Sequence, residues 1–214
     1  MNYLVLLRHG QSEWNKENRF TGFTDVDLSE KGIEEAKSAG VKMRHIAFDH
    51  VFTSTLKRAY HTAGFALVTS ESNEHLFSSD GMYRMTYDDD LRERDYGELV
   101  SLNKDECRKK FGEEQVKIWR RSYDVPPPGG ESLKDVVARV QPYFEEHIQP
   151  LLDKGDNVLL AAHGNTLRAM MIILGEYRPD NINTCEIPTG VPVVFEYDDG
   201  DKGMHYFLQD DISF

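Results

Sequence analysis

The apolar run Tyr3-Leu4-Val5-Leu6-Leu7 ends directly on Arg8-His9-Gly10, and Val158-Leu159-Leu160-Ala161-Ala162 ends on His163-Gly164-Asn165. Each run reads as a buried strand, and each delivers a histidine where that strand surfaces, which is where an α/β protein places its chemistry. Elsewhere the apolar pattern switches between short runs and helical spacing, in the order expected of an α/β sandwich. Strands are predicted at 3–7, 49–53, 157–162, 191–197 and 204–208, the last two flanking the turn signal Asp198-Asp199-Gly200-Asp201-Lys202-Gly203.

Ser29 caps a predicted helix running to about Ile46, with Ile33, Ala36, Ala39, Gly40 and Met43 at spacings of three and four. A second helix starts near Thr55 and carries Arg58 in its first turn, so that the guanidinium can point toward the edge that bears His9. The segment 131–152 places Leu133, Val136, Val137, Val140, Phe144, Ile148 and Leu151 on one stripe, with Pro142 expected to kink the helix or cost a backbone bond. Pro126-Pro127-Pro128-Gly129-Gly130 reads as a loop between helical stretches, and no repeat or low-complexity tract interrupts the pattern.

A chain of 214 residues is consistent with one domain that buries roughly 70% of its extended surface. Its formal charge of −12 opposes general affinity for nucleic acid or an anionic membrane, both of which require a basic face. Any anionic ligand must therefore be held by a local cluster of cations. The two cysteines, Cys107 and Cys185, lack disulfide-framework or metal-ligand spacing. The chain shows neither a signal peptide nor an apolar run of membrane-spanning length, which makes a cytoplasmic protein the expectation.

A histidine beside an arginine suits phosphoryl transfer. Neutral imidazole is a nucleophile near neutral pH, and guanidinium grips phosphate oxygens through a rigid fork. Glycine after each histidine lets backbone approach a ligand closely. A nucleophilic imidazole needs one ring nitrogen free and the other held as a donor, most simply by a backbone carbonyl.

These residues sit in longer matching stretches: Leu7-Arg8-His9-Gly10-Gln11-Ser12-Glu13-Trp14-Asn15, Arg19-Phe20-Thr21-Gly22, Asp27-Leu28-Ser29-Glu30-Lys31-Gly32, Thr53-Ser54-Thr55-Leu56-Lys57-Arg58-Ala59, Glu93-Arg94-Asp95-Tyr96-Gly97, Leu102-Asn103-Lys104, Trp119-Arg120-Arg121 and His163-Gly164-Asn165-Thr166-Leu167-Arg168-Ala169. In these the chain resembles the cofactor-dependent phosphoglycerate mutases of the histidine phosphatase superfamily, with only Ala66 to Asp90 unfamiliar between Tyr3 and about Leu208. The resemblance implies a three-layer α/β/α sandwich with a mostly parallel central sheet. It implies His9 as the nucleophile that carries the phosphoryl group, Arg8, Arg58 and His163 around the phosphate, and Glu93 as the acid/base whose ionised form nearby phosphate disfavours.

Ser12, Asn15, Gly164 and Asn165 are implied as neutral groups at the phosphate, and Thr21, Gly22, Tyr96, Lys104, Arg120 and Arg121 as the grip on carboxylate and second phosphate. Adjacent Arg120 and Arg121 diverge by about 100° on a helix, so one is expected to contact ligand while the other braces it. The implied reaction interconverts 3-phosphoglycerate and 2-phosphoglycerate, primed by 2,3-bisphosphoglycerate, without a metal and in glycolysis and gluconeogenesis. Homodimers or homotetramers occur among similar proteins, and tails such as Ile212-Ser213-Phe214 help close their sites. The rival within the superfamily is a phosphatase, in which water replaces the hydroxyl acceptor; a noncatalytic phosphate binder would be expected to lack a histidine or the acid.

Overall fold

The computed structural model describes residues 1–198 and 200–208; the tail Ile212-Ser213-Phe214 and Asp199 of the expected hairpin lie outside the described residues. Strands β1 (Asn2–Arg8), β2 (His50–Ser54), β3 (Thr86–Asp88), β4 (Val158–Ala162), β5 (Pro192–Asp198) and β6 (Asp201–Phe207) form one sheet in the order β3-β2-β4-β1-β5-β6. Pairs β2/β3, β2/β4 and β1/β4 are parallel, while β1/β5 and β5/β6 are antiparallel.

Successive residues of the central strands feed two different cores, which is why these strands read as unbroken apolar runs. Leu4, Leu6, Leu160, Ala162, Val193 and Phe195 belong to one core, whereas Val5, Leu7, Leu159, Ala161 and Val194 belong to the other. Helices follow the same chain order: α1 (Glu13–Lys16), α2 (Glu30–Lys42), α3 (Lys57–Val68), α4 (Lys104–Phe111), α5 (Glu113–Arg121), α6 (Leu133–Tyr143), α7 (Gln149–Asp153) and α8 (Gly164–Ile173). Helices α2 and α3 cover the second face, and α6, α7 and α8 cover the first, completing the expected three layers.

Besides β6, which begins at Asp201 inside the expected turn segment rather than at 204, the described structure departs from the sequence expectations at three places. Strand β3 was not anticipated, because it is a three-residue edge strand with no buried face and hence no apolar run. Helix α2 ends at Lys42 rather than near Ile46; Ser29 caps it as expected, accepting from the Gly32 N–H at 3.2 Å. The 131–152 helix neither breaks nor stays α-helical. Between Pro142 and Pro150, each of which removes a backbone donor, residues Phe144–Ile148 widen into a π-turn before α7 resumes.

Helices α4 and α5 stand apart from the sheet and share a small cluster of Phe20, Leu99, Cys107 and Val116 with Tyr96 and Trp119 packed against it. This cluster carries Lys104, at the start of α4, and Arg120 and Arg121, at the end of α5, to the same pocket wall.

Candidate active site

Strands β1 and β4 are parallel neighbours, so their C-terminal ends emerge side by side, and the His9 N–H donates to the Ala162 carbonyl at 3.0 Å. The two histidine rings consequently meet edge to face, with centroids 5.1 Å apart. His9 Nδ1 lies 2.7 Å from the Gly10 carbonyl. A carbonyl only accepts, so Nδ1 bears the proton and Nε2 is left with a free lone pair. Burial, followed by the positive charges of Arg58 and Arg8, holds this imidazole well below its ordinary pKa of 6.5 and hence neutral.

His163 is fully buried behind His9 and does not itself line the pocket; its Nε2 lies 2.7 Å from Ser54 Oγ. Burial and then Arg58 keep it, too, well below 6.5, so in this structure it is a neutral hydrogen-bonding group and not an imidazolium. Arg58, 1% exposed, donates to the carbonyls of Thr24 at 2.8 Å and Gly22 at 2.7 Å, and burial lowers its pKa to about 10. Arg8 donates to the Ile187 carbonyl at 2.8 Å. Among the described residues neither arginine forms an ion pair, although the nearby charges of Glu93 and Asp25 act on Arg58, so both can turn to an anionic ligand.

Glu93 uses Oε1 to accept the backbone N–H of Arg94 at 2.7 Å and of Asn165 at 3.1 Å, leaving Oε2 without a hydrogen bond in the pocket wall. Asn165 lies in the first turn of α8, whose N-terminus adds partial positive charge beside the two histidines. Tyr96 accepts from Asn165 Nδ2 at 3.1 Å and Arg94 Nη2 at 3.2 Å. Burial pushes its phenol up, but the Arg94 charge and these donated bonds outweigh that, and the group ends below its ordinary pKa.

Of the anticipated residues, Arg8, His9, Asn15, Thr21, Gly22, Arg58, Glu93, Tyr96, Lys104, Arg120, Arg121, Gly164 and Asn165 line a single pocket. Ser12 does not. It is fully buried as the N-cap of α1, accepting from Asn15 N at 3.1 Å while its own N–H donates to Asn15 Oδ1 at 3.2 Å. This capping box leaves Nδ2 as the group Asn15 offers the pocket. Both of the adjacent arginines line the pocket; Arg121 pairs with Glu186 at 2.7 Å, while the Arg120 side chain makes no ion pair among the described residues.

Two pocket cations escaped assignment, Arg19 and Arg168, although both lie inside the segments that carry the family resemblance. Arg168 is 5% exposed, donates to Asn165 Oδ1 at 3.3 Å and to the Ile182 carbonyl at 2.6 Å, and burial lowers it to about 10. Phe20 and, from a segment without periodicity that could have flagged them, Cys185, Glu186 and Ile187 complete the wall. Among the described residues no cluster of histidine, cysteine or carboxylates has metal-binding geometry, and no helix is long and apolar enough to cross a membrane.

The family model of the histidine phosphatase superfamily (branch 1) matches residues 4–209. The chain belongs to this superfamily. Within it, the chain is 54% identical over 194 residues to a 2,3-bisphosphoglycerate-dependent phosphoglycerate mutase of Nitrobacter hamburgensis, covering 90% of each chain. It is 50% identical over 200 residues to the protein of that name from Parvibaculum lavamentivorans, covering 92% of this chain and 91% of the relative. Among solved superfamily structures, a mycobacterial glucosyl-3-phosphoglycerate phosphatase in complex with VO3 is 27% identical, with a TM-score of 0.74 and coverage of 92% and 93%.

Proposed function

We propose that this superfamily member interconverts 3-phosphoglycerate and 2-phosphoglycerate through a phosphohistidine at His9, primed by 2,3-bisphosphoglycerate. The observation that carries the reading is the His9 ring: a neutral imidazole with Nδ1 on its own chain's carbonyl and Nε2 free, set among unpaired arginines. Relatives that share about half of its residues carry the mutase name, which supports the choice of substrate.

The pocket suits a ligand with more than one anionic group. Its lining holds the cations Arg8, Arg19, Arg58, Lys104, Arg120, Arg121 and Arg168 against the acids Glu93 and Glu186. Buried atoms without hydrogen-bond partners gather at the same place: Arg8 Nε, Thr21 Oγ1 and Arg168 Nε belong to lining residues, and Arg94 and His163 flank them. Buried polar groups are normally satisfied, so such a concentration of orphans is what a site for a polyanion requires. The primer supplies the phosphoryl group that charges His9.

In this reading Arg8 and Arg58 offset the charge that develops on the equatorial oxygens of the transferring group, with donors of this kind worth ~3 kcal/mol each in the barrier. Glu93, held by two backbone N–H groups, takes the proton from the substrate hydroxyl as that oxygen attacks phosphorus, and returns it in the reverse step. Lys104, Arg120 and Tyr96 hold the far anionic group while the bisphosphate reorients. A cytoplasmic, homo-oligomeric glycolytic enzyme completes the proposal, with light scattering testing the assembly.

A phosphatase is the second reading, favoured by the likeness to a solved phosphatase. Phosphorus NMR on purified protein with 3-phosphoglycerate and a trace of 2,3-bisphosphoglycerate separates the two. Primer-dependent growth of 2-phosphoglycerate is expected; inorganic phosphate outrunning the isomer would overturn the mutase reading while leaving the His9 chemistry standing.

A further inference from the structure

Ser54 closes β2, is fully buried, and lies 109 residues from the histidine whose Nε2 it meets at 2.7 Å. The same Oγ accepts the Leu56 N–H at 3.2 Å, at the start of α3. No other hydrogen-bond acceptor lies within reach of this hydroxyl among the described residues. A serine hydroxyl has one proton to give, and its proton and that of the imidazole must be shared out consistently.

Two neutral arrangements are possible. If Ser54 donates to Nε2, the imidazole proton sits on Nδ1, and only the Nδ1–H remains without a partner. If Nε2–H donates to Ser54, the hydroxyl proton is stranded in the interior and Nδ1 is an orphan acceptor besides. The first arrangement leaves one unsatisfied group and the second leaves two, which decides between them where burial penalises each orphan. An imidazolium is worse still: it strands the hydroxyl proton and places a charge beside Arg58, His9, Arg139 and Arg8.

We infer that Ser54 is a positioning residue that locks His163 in its neutral Nδ1–H tautomer, leaving that N–H, the one group of the ring without a protein partner, beside His9 to serve a phosphoryl group once His9 carries it. The inference rests on the phosphohistidine reading of His9 for the identity of the acceptor, but the tautomer itself is a property of the free protein. The Leu56 N–H contributes by occupying a lone pair of Oγ, which aims the single hydroxyl proton at Nε2.

Long-range proton–nitrogen NMR on protein labelled with ¹⁵N-histidine tests it, since a protonated ring nitrogen and a bare one differ widely in shift. The chain has eight histidines, and loss of one pattern in His163→Gln assigns the resonance. The expected spectrum has His163 Nδ1 protonated and Nε2 bare, in the free protein and with saturating inorganic phosphate. Protonation at Nε2, or at both nitrogens once phosphate is bound, would overturn the inference. Ser54→Ala should lose the single-tautomer pattern and lower kcat about tenfold or more with little change in KM, and Ser54→Thr should restore both. A Ser54→Ala protein that keeps the wild-type pattern would also refute it. If Ser54→Ala does not fold, the wild-type spectrum alone decides. Because the tautomer is read without turnover, its failure is distinct from a failure to isomerise phosphoglycerate.

Discussion

Gly32 touches no ligand, yet replacing it with alanine should disable the site. It sits in the first turn of α2, where the backbone of Gln11 crosses so closely that an added Cβ would lie 2.1 Å from the Gln11 carbonyl oxygen and 2.9 Å from its nitrogen. On an open helix the substitution would stabilise by about 1 kcal/mol. Here a tolerable contact needs at least 3.0 Å, so Gln11 must retreat by about 1 Å. Gln11 cannot retreat freely, because its carbonyl accepts the Ser29 N–H at 2.9 Å and its own N–H donates to Glu35 at 2.8 Å.

Overpacking of this kind costs about 1–3 kcal/mol, which cancels the helix gain and leaves a net loss of up to about 2 kcal/mol. The larger effect is catalytic. Gly10, the next residue back, supplies the carbonyl that orients His9, and a displacement of about 1 Å in a reacting group costs roughly a hundredfold in rate. Urea denaturation and steady-state isomerase kinetics on Gly32→Ala should therefore show a lower midpoint and a kcat reduced about a hundredfold. A variant more stable than the parent and fully active would refute the argument that this glycine exists for contact with the strand end.

Three further predictions concern the site itself. His9→Ala should carry no acid-labile phosphate after incubation with labelled 2,3-bisphosphoglycerate, whereas persistence of the label would place the covalent intermediate elsewhere. Glu93→Gln should lower kcat by about 10²–10⁴-fold while changing substrate affinity little, as the loss of a proton acceptor requires; calorimetry showing an equal loss of binding would make Glu93 a structural acid. His9 and His163 both have folded pKa values well below 6.5, so on acidification the unfolded chain takes up protons that the native state refuses. Stability from these two groups is intact above about pH 6.5 and is lost as pH falls below it. The unfolding midpoint should drop between pH 7 and 5, and more shallowly in His163→Gln.

Much of the architecture could be read from local pattern, because burial on both sheet faces imposes an unbroken apolar run. β1 and β4 declare themselves most plainly in this way, and each of the two site histidines follows such a run. The resemblance in Arg8-His9-Gly10 and the other stretches named fifteen site residues, thirteen of which line one cavity. Strand β3 left no trace because an exposed edge strand pairs through its backbone and places no demand on its side chains.

Pro142 announced a disturbance in the helix, but that the chain would widen into a π-turn, with Phe144 and Ile148 still packed in the core, is visible only in the folded structure. Ser12 stands in the same segment of family resemblance as Asn15, yet it turned inward to cap α1 while Asn15 faced the pocket, a choice made by cap geometry. Local pattern thus established five of the six strands and the type of chemistry, since hydrophobic burial and residue reactivity are properties that each segment carries with it. Proton placement and close approach could come only from the folded chain. The bond from Ser54 to His163, the contact of Gly32 with Gln11 and the capture of Arg58 by Gly22 and Thr24 each join segments that are neighbours in space but not in sequence, and hydrogen-bond direction exists only once both partners are in place.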